Sequence, residues 1–222
     1  MKIAILGTGG VGQAFAAKLT TLGHDTTIGT RQVAEKKANE KFAGFLQKNP
    51  NVKLATFADA AAWGEMVINV SKGENTLDVI EAAGISNLND KILIDISNPL
   101  DFSKGMPPCL IEQYSNTNSL GEAIQKKLPG TRVVKTLNTM WNGLMLNPAM
   151  IGNGDHVNYI CGNDVTAKAK VISLLQEFGW KTESILDLGD ITAARATEGL
   201  MPIWLRVYGT KQTGAFNFKI VQ

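Results

Sequence analysis

Lys2-Ile3-Ala4-Ile5-Leu6-Gly7-Thr8-Gly9-Gly10-Val11-Gly12 opens the chain: an apolar run of strand length, glycines in G-x-G-x-x-G spacing, then the first turn of an amphipathic helix. That order reads as a dinucleotide-binding turn. Gly7 permits the tight turn off the strand, Gly9 lets backbone approach a pyrophosphate, and Gly12 lets the helix pack close to the sheet. The anion would sit on the unpaired N–H groups and the positive dipole end of the helix, with no charged side chain needed. Thr8, Gly10 and Val11 complete the expected cofactor-binding turn.

Working outward, the next apolar run, Thr26-Thr27-Ile28, ends in Gly29-Thr30-Arg31. Here such a fold reads the adenosine ribose, and a chain selective for NAD would carry Asp or Glu to accept from its hydroxyls. This chain carries none. Thr30 offers a hydroxyl and Arg31 a planar, always charged fork suited to a 2′-phosphate, with Lys36 and Lys37 following. The pattern predicts NADP(H) as cofactor. The alternative is a solvated Arg-Gln turn beside surface lysines.

Apolar runs alternate with helical patterns along the chain, which predicts a parallel sheet with helical crossovers. Candidate strands are Lys2 to Leu6, Thr26 to Gly29, Val52 to Ala55, Met66 to Val70, Lys91 to Ile96 and Arg132 to Leu137. Helices are expected from Val11 to Leu22, Val33 to Lys48, Ala58 to Trp63 and Thr76 to Ala83. Asp101 to Thr117, with Pro107-Pro108, reads as a long surface excursion, and such loops are often functional. Beyond it come a strand over Val157 to Gly162, a helix over Asp164 to Phe178 and a strand over Lys181 to Leu186. A long helix over Ile191 to Tyr208, broken at Pro202, and an alternating closing strand through Phe216, Phe218 and Ile220 follow. The expected fold is α/β: a Rossmann-type doubly wound parallel sheet over residues 1–138 with a small C-terminal α/β lobe over 139–222.

The 222 residues suffice for this, and 44% hydrophobic with 19% charged residues is an ordinary globular balance. A formal net charge of +2 gives no argument for nucleic acid, and the apolar runs are far below a transmembrane span, so neither nucleic acid nor membrane is expected as partner. The glycine motif begins so close to Met1 that no leader is expected, which points to the cytoplasm. Cys109 and Cys161 suggest neither a disulfide nor a ligand pair, His24 and His156 read as surface residues, and no metal site is expected.

In an open parallel sheet, ligands bind beyond the carboxyl ends of the strands. That rule selects Val70-Ser71-Lys72-Gly73, Ser97-Asn98-Pro99-Leu100 and Asn138-Thr139-Met140-Trp141. Val70, Ser71, Asn98 and Pro99 join the cofactor-binding set. Asn98 and Asn138 could hydrogen-bond a carboxamide or a substrate carbonyl; their alternatives are a turn before Pro99 and a satisfied loop amide. No acid–base constellation is present, leaving Lys72 and Asn138 as the catalytic candidates. Hydride passing between two preformed rings needs mainly alignment and exclusion of water.

These residues, with Leu22-Gly23-His24-Asp25 and Arg195-Ala196-Thr197-Glu198-Gly199-Leu200-Met201-Pro202, resemble the NADPH-dependent coenzyme F420 reductase family over nearly the whole chain. The resemblance implies a Thr30–Arg31 pair with Lys36 on the 2′-phosphate. It also implies a deazaflavin stacked on the nicotinamide between the lobes, touched by Pro99, Leu100, Asn138, Thr139, Met140, Leu200 and Met201. F420-reducing members carry histidine where Asn138 stands. A similar module forms the cytosolic part of membrane metalloreductases, where NADPH reduces a flavin. The expected activity is hydride transfer between NADP(H) and a small flat acceptor, F420 or a flavin, in a possible homodimer. The alternative is a non-catalytic NADP(H) sensor or partner module; reductases that share only the N-terminal half append an all-helical domain that this tail does not match.

Overall fold

The computed structural model describes residues 1–222. Strands β1 (Lys2–Leu6), β2 (Asp25–Thr30), β3 (Val52–Thr56), β4 (Met66–Asn69) and β5 (Ile92–Asp95) are followed by a short antiparallel pair, β6 (Leu100–Asp101) and β7 (Cys109–Leu110). Strands β8 (Arg132–Thr136), β9 (Asn158–Cys161) and β10 (Ile185–Asp187) complete an eight-stranded sheet of order β10-β9-β8-β5-β4-β1-β2-β3. Every neighbouring pair in it is parallel except β8 with β9. Strand order reverses at β1, which lies between β4 and β2.

The alternation of a buried strand explains how both faces are covered. Ile3 and Ile5 join one apolar core with Phe15 and Leu19 of helix α1 (Gly10–Thr21), whereas Ala4 and Leu6 join a second core on the opposite face. That second core is filled from α4 (Phe57–Trp63) and α5 (Thr76–Ala83) by Ala60 and Ile80. Met66 and Ile68 against Val67, and Ile92 and Ile94 against Leu93, repeat the division in β4 and β5. Such strands read as continuous apolar runs because helices lie on both sides.

The predicted helix over Val33 to Lys48 is two helices, α2 (Val33–Ala38) and α3 (Glu40–Lys48). Asn39 breaks it: its backbone is extended, and its side-chain oxygen accepts from Phe42 N at 3.1 Å, capping α3. Three helices carried no sequence expectation: α6 (Ile85–Leu88), α7 (Leu120–Lys127) and α8 (Asn142–Leu146). The signal for α7 was present in Ser119 and Glu122. Ser119 Oγ accepts from Glu122 N at 3.1 Å and donates to the Glu122 carboxylate at 2.7 Å. The surface excursion holds the β6–β7 pair and a 3-10 turn over Glu112–Tyr114.

Past residue 138 the chain extends the same sheet with β9 and β10, which flank α9 (Val165–Glu177), capped by Asp164. The expected 191–208 helix is a 3-10 turn, then α10 (Ala194–Gly199), then α11 (Met201–Lys211), with Pro202 in the first turn of α11, where its missing N–H costs nothing. The expected closing strand is not one. Val157 N donates to Phe218 O at 2.9 Å, but the Phe216 ring stacks on Trp204 of α11 at 5.3 Å, and Ile220 is exposed. His156, expected at the surface, is buried beside Trp180 and bonds the Pro148 carbonyl at 2.8 Å. No helix is long and apolar enough to cross a membrane.

Candidate cofactor and acceptor site

The turn after β1 and the start of α1 share cavity walls with the loops after β2, β4 and β5. Gly7 takes φ +135°, a conformation open to glycine, and a Cβ at Gly12 would lie 2.1 Å from the Gly7 carbonyl oxygen, so α1 begins directly against the turn. A Cβ at Gly9 would meet nothing within 4 Å, and α1 starts with no side chain capping it. Close packing behind, open space in front and free N–H groups at the helix start fit a pyrophosphate.

Beside that turn a cavity of about 630 Å³ is lined by Thr8, Thr30, Arg31, Gln32, Glu35, Lys36, Ala38, Asn39 and Phe57. Arg31 is exposed and makes no salt bridge within the chain, while Lys36 lies over the Phe42 ring with its ammonium 5.0 Å from the centroid. A free guanidinium and a nearby ammonium on a predominantly polar rim suit a 2′-phosphate, although Glu35 brings one negative charge to the same wall.

A second crevice, of about 280 Å³, opens where strand order reverses. Val11, Val70, Ser71, Lys72, Gly73, Ile96, Ser97, Asn98, Leu100, Phe102 and Met145 line it. Its wall is apolar with a few polar groups, and its one charged side chain is Lys72, 75% exposed with Glu74 at 3.9 Å. The loops meet closely here, since a Cβ on Gly73 would lie 1.9 Å from the Asn98 carbonyl oxygen. Pro99 is buried beside the crevice.

Asn98 and Asn138 are brought together across the sheet. Asn98 Nδ2 donates to the Asn138 carbonyl at 2.7 Å, and Asn138 Nδ2 donates to Asn98 Oδ1 at 2.9 Å. Asn138 is 2% exposed, so its side chain holds Asn98 and does not face the crevice. Asn98 keeps one N–H and one oxygen lone pair unused by that pairing. Thr139, Met140 and Met201 are buried and Leu200 is half-buried, and none of the four lines the crevice. Ser97 and Gly73, at the selected strand ends, line it, whereas Ile96, Phe102 and Met145 line it and were not among the expected residues; for Phe102 the sequence signal was its place in the long excursion.

Under these loops lies a charged cluster that sequence reasoning missed. Lys135 Nζ, fully buried, donates to Asp95 Oδ2 at 2.7 Å, to Glu198 Oε1 at 2.8 Å and to the Ser97 carbonyl at 2.6 Å. Asp95 Oδ1 accepts from Asn69 Nδ2 at 2.8 Å, Ser97 Oγ at 2.7 Å and Ser97 N at 3.2 Å. Asn69 in turn accepts from Ser71 Oγ at 2.7 Å. Glu198 accepts from Leu120 N at 2.8 Å and Gly121 N at 3.0 Å at the start of α7. Burial would lower the Lys135 pKa, but the Asp95 and Glu198 carboxylates outweigh it and hold the ammonium above the ordinary lysine value. Burial raises the Glu198 carboxyl, with Lys135 opposing. Burial also pushes the neighbouring Cys161 thiol up to about 12, so it stays neutral. A signal was available: Asp95 and Lys135 interrupt apolar strand runs, and a charge at such a position needs a partner.

The comparisons with known proteins agree with this geometry. A family model described as NADP oxidoreductase, coenzyme F420-dependent, matches residues 2–99. A crystal structure from Arthrobacter sp. FB24, assigned as an F420-dependent NADP-reductase, is 49% identical, covers 100% of both chains and superposes with a TM-score of 0.96. Human Metalloreductase STEAP2 is 27% identical over 89% of this chain, which spans only 35% of that relative's length. An Aspergillus terreus reductive aminase crystallised with NADPH is 19% identical over 95% of this chain and 62% of its own, with a TM-score of 0.64, and shows the fold alone. Identity of 49% sustained over full length leaves no part of the fold unmatched, and the chain is an NADP-dependent oxidoreductase belonging to the coenzyme F420-dependent NADP oxidoreductase family.

Proposed function

We propose that the protein transfers hydride between NADP(H) and a flat acceptor, a flavin or the deazaflavin F420, in the crevice beyond β4 and β5. The observation that carries the reading is the position of that crevice: it adjoins the glycine turn at the strand-order reversal and is apolar enough to exclude water around a ring. When bound, NADPH supplies the hydride; with one solvent proton it converts the oxidised acceptor to its dihydro form and leaves NADP⁺. The backbone of Gly9 and Gly10 receives the pyrophosphate, and Thr30, Arg31 and Lys36 receive the 2′-phosphate. Asn98, held by Asn138, uses its remaining N–H and lone pair to fix the carboxamide of the nicotinamide. Val70, Leu100 and Phe102 close around the rings. Lys72 reaches into solvent beside Glu74, and ring-to-ring hydride transfer does not require a side chain to move a proton.

The test mixes the protein and excess NADPH with oxidised F420 and, separately, FMN, FAD and riboflavin, following loss of acceptor absorbance. Bleaching of F420 or of a flavin identifies the acceptor. No bleaching of any of them, with NADPH binding demonstrated, refutes the transfer and leaves a cofactor-binding module.

A further inference from the structure

The cluster beneath the crevice has one carboxylate more than it has cations. Hydrogen bonding assigns the charges: Lys135 uses all three of its donors on acceptors, and every oxygen of Asp95 and Glu198 accepts from a donor. A proton on Glu198 would point at Lys135 or at the Leu120 or Gly121 N–H, none of which can accept it, and one on Asp95 could go only to the Ser97 hydroxyl, displacing the proton that hydroxyl donates. The start of α7 offsets part of the excess, about half a charge. The remaining negative charge is desolvated, with all three side chains 0–1% exposed. It is also close to the crevice: Ser97 lines the crevice while its hydroxyl and N–H bond Asp95 and its carbonyl bonds Lys135.

We propose that Asp95, Lys135 and Glu198 form an electrostatic positioning device beneath the nicotinamide subsite, favouring the cationic ring of NADP⁺ over the neutral ring of NADPH and so strengthening the bound cofactor as a hydride donor. The inference rests on the reading that the crevice takes the nicotinamide ring. None of the three residues touches the ring; they act through Ser97 and through their field, which is little screened in a buried site. Lys72, the cation at the rim, is solvated and offsets little.

The experiment measures dissociation constants of NADP⁺, NADPH and a fragment without nicotinamide, 2′-phospho-ADP-ribose, for wild type, Glu198→Gln and Asp95→Asn. One charge at roughly 10 Å and an effective dielectric of about 20 predicts a ratio Kd(NADP⁺)/Kd(NADPH) raised about tenfold in either variant, with fragment affinity unchanged. A tenfold change corresponds to about 30 mV in the bound two-electron couple. Two variants guard against loss of fold in one, checked by thermal unfolding. Equal weakening of both cofactor forms, or no change in their ratio, overturns the inference, because support of the loops alone would not tell the two rings apart. Leu100→Trp serves as the control for the crevice: it should weaken NADPH and spare the fragment. If Leu100→Trp leaves NADPH affinity intact, the crevice reading fails and takes the inference with it; if it weakens NADPH while the ratio stays fixed, the inference alone fails.

Discussion

Arg31→Ala removes one planar cation from the rim of the cavity of about 630 Å³ beside the glycine turn. Because Arg31 is exposed and pairs with no acid in the chain, its loss should leave the folded state untouched, and any effect should fall on the ligand. A hydrogen bond to a charged group contributes about 1.5–3 kcal/mol, or roughly ten- to 150-fold in affinity. Solvent screening and the remaining Lys36 place the expected loss for NADPH at the lower end, about tenfold to thirtyfold. NADH has no 2′-phosphate and should bind within about twofold of wild type, by the same affinity arithmetic. Titration of cofactor fluorescence at two ionic strengths measures both constants, and the NADPH loss should shrink as salt rises. Equal losses for NADPH and NADH, or a fall in Tm comparable to a core substitution, would falsify the assignment of Arg31 to the 2′-phosphate.

Two further substitutions exploit the difference between neighbouring glycines. Gly9→Val places its side chain in open space, so the protein should keep its Tm yet lose binding of NADPH and NADH alike; retained binding refutes the pyrophosphate site. Gly12→Ala puts a Cβ 2.1 Å from the Gly7 carbonyl oxygen, so Tm should fall by an amount reflecting about 1–3 kcal/mol or more, and unchanged Tm would show that the turn relaxes freely. A pH series on Arg195→Ala tests a surface pair. Hydrogen bonds from the Arg195 guanidinium hold the Glu122 carboxyl below its ordinary value, against the opposing effect of burial. A depressed carboxylate stabilises the fold above its unfolded pKa, and that stabilisation disappears as pH falls through the lowered value. The Tm gap between wild type and Arg195→Ala should therefore be present at neutral pH and close in acid; a gap independent of pH argues that the pair contributes by packing.

The parts legible in the sequence are those governed by local rules. The glycine turn at Gly7 to Gly12 was readable because its geometry is set within a few residues, by a positive φ and a missing Cβ. Sheet strands were readable because burial on both faces writes itself as an unbroken apolar run, as in Ile3 to Leu6 and Met66 to Ile68. The lack of an acid at Thr30-Arg31 was likewise a local fact. Helix boundaries that depend on one cap, such as Asn39, were blurred, since periodicity on either side of the cap is continuous.

Tertiary structure alone decided what the strand ends do together. The sequence offered Asn98 and Asn138 as two separate amides for a ligand; their reciprocal hydrogen bonds turn one into the support of the other. It offered Asp95, Lys135 and Glu198 as unrelated charges, and only the pairing of β5 with β8, with α10 brought against the start of α7, places them within hydrogen-bond distance. Nor could alternation reveal that Phe216 faces Trp204, because a strand pattern says which residues share a side and not what covers it. Local sequence fixes backbone conformation through sterics and hydrogen bonds a few residues apart, whereas the electrostatics of this site arise from groups that the chain brings together only by closing its sheet.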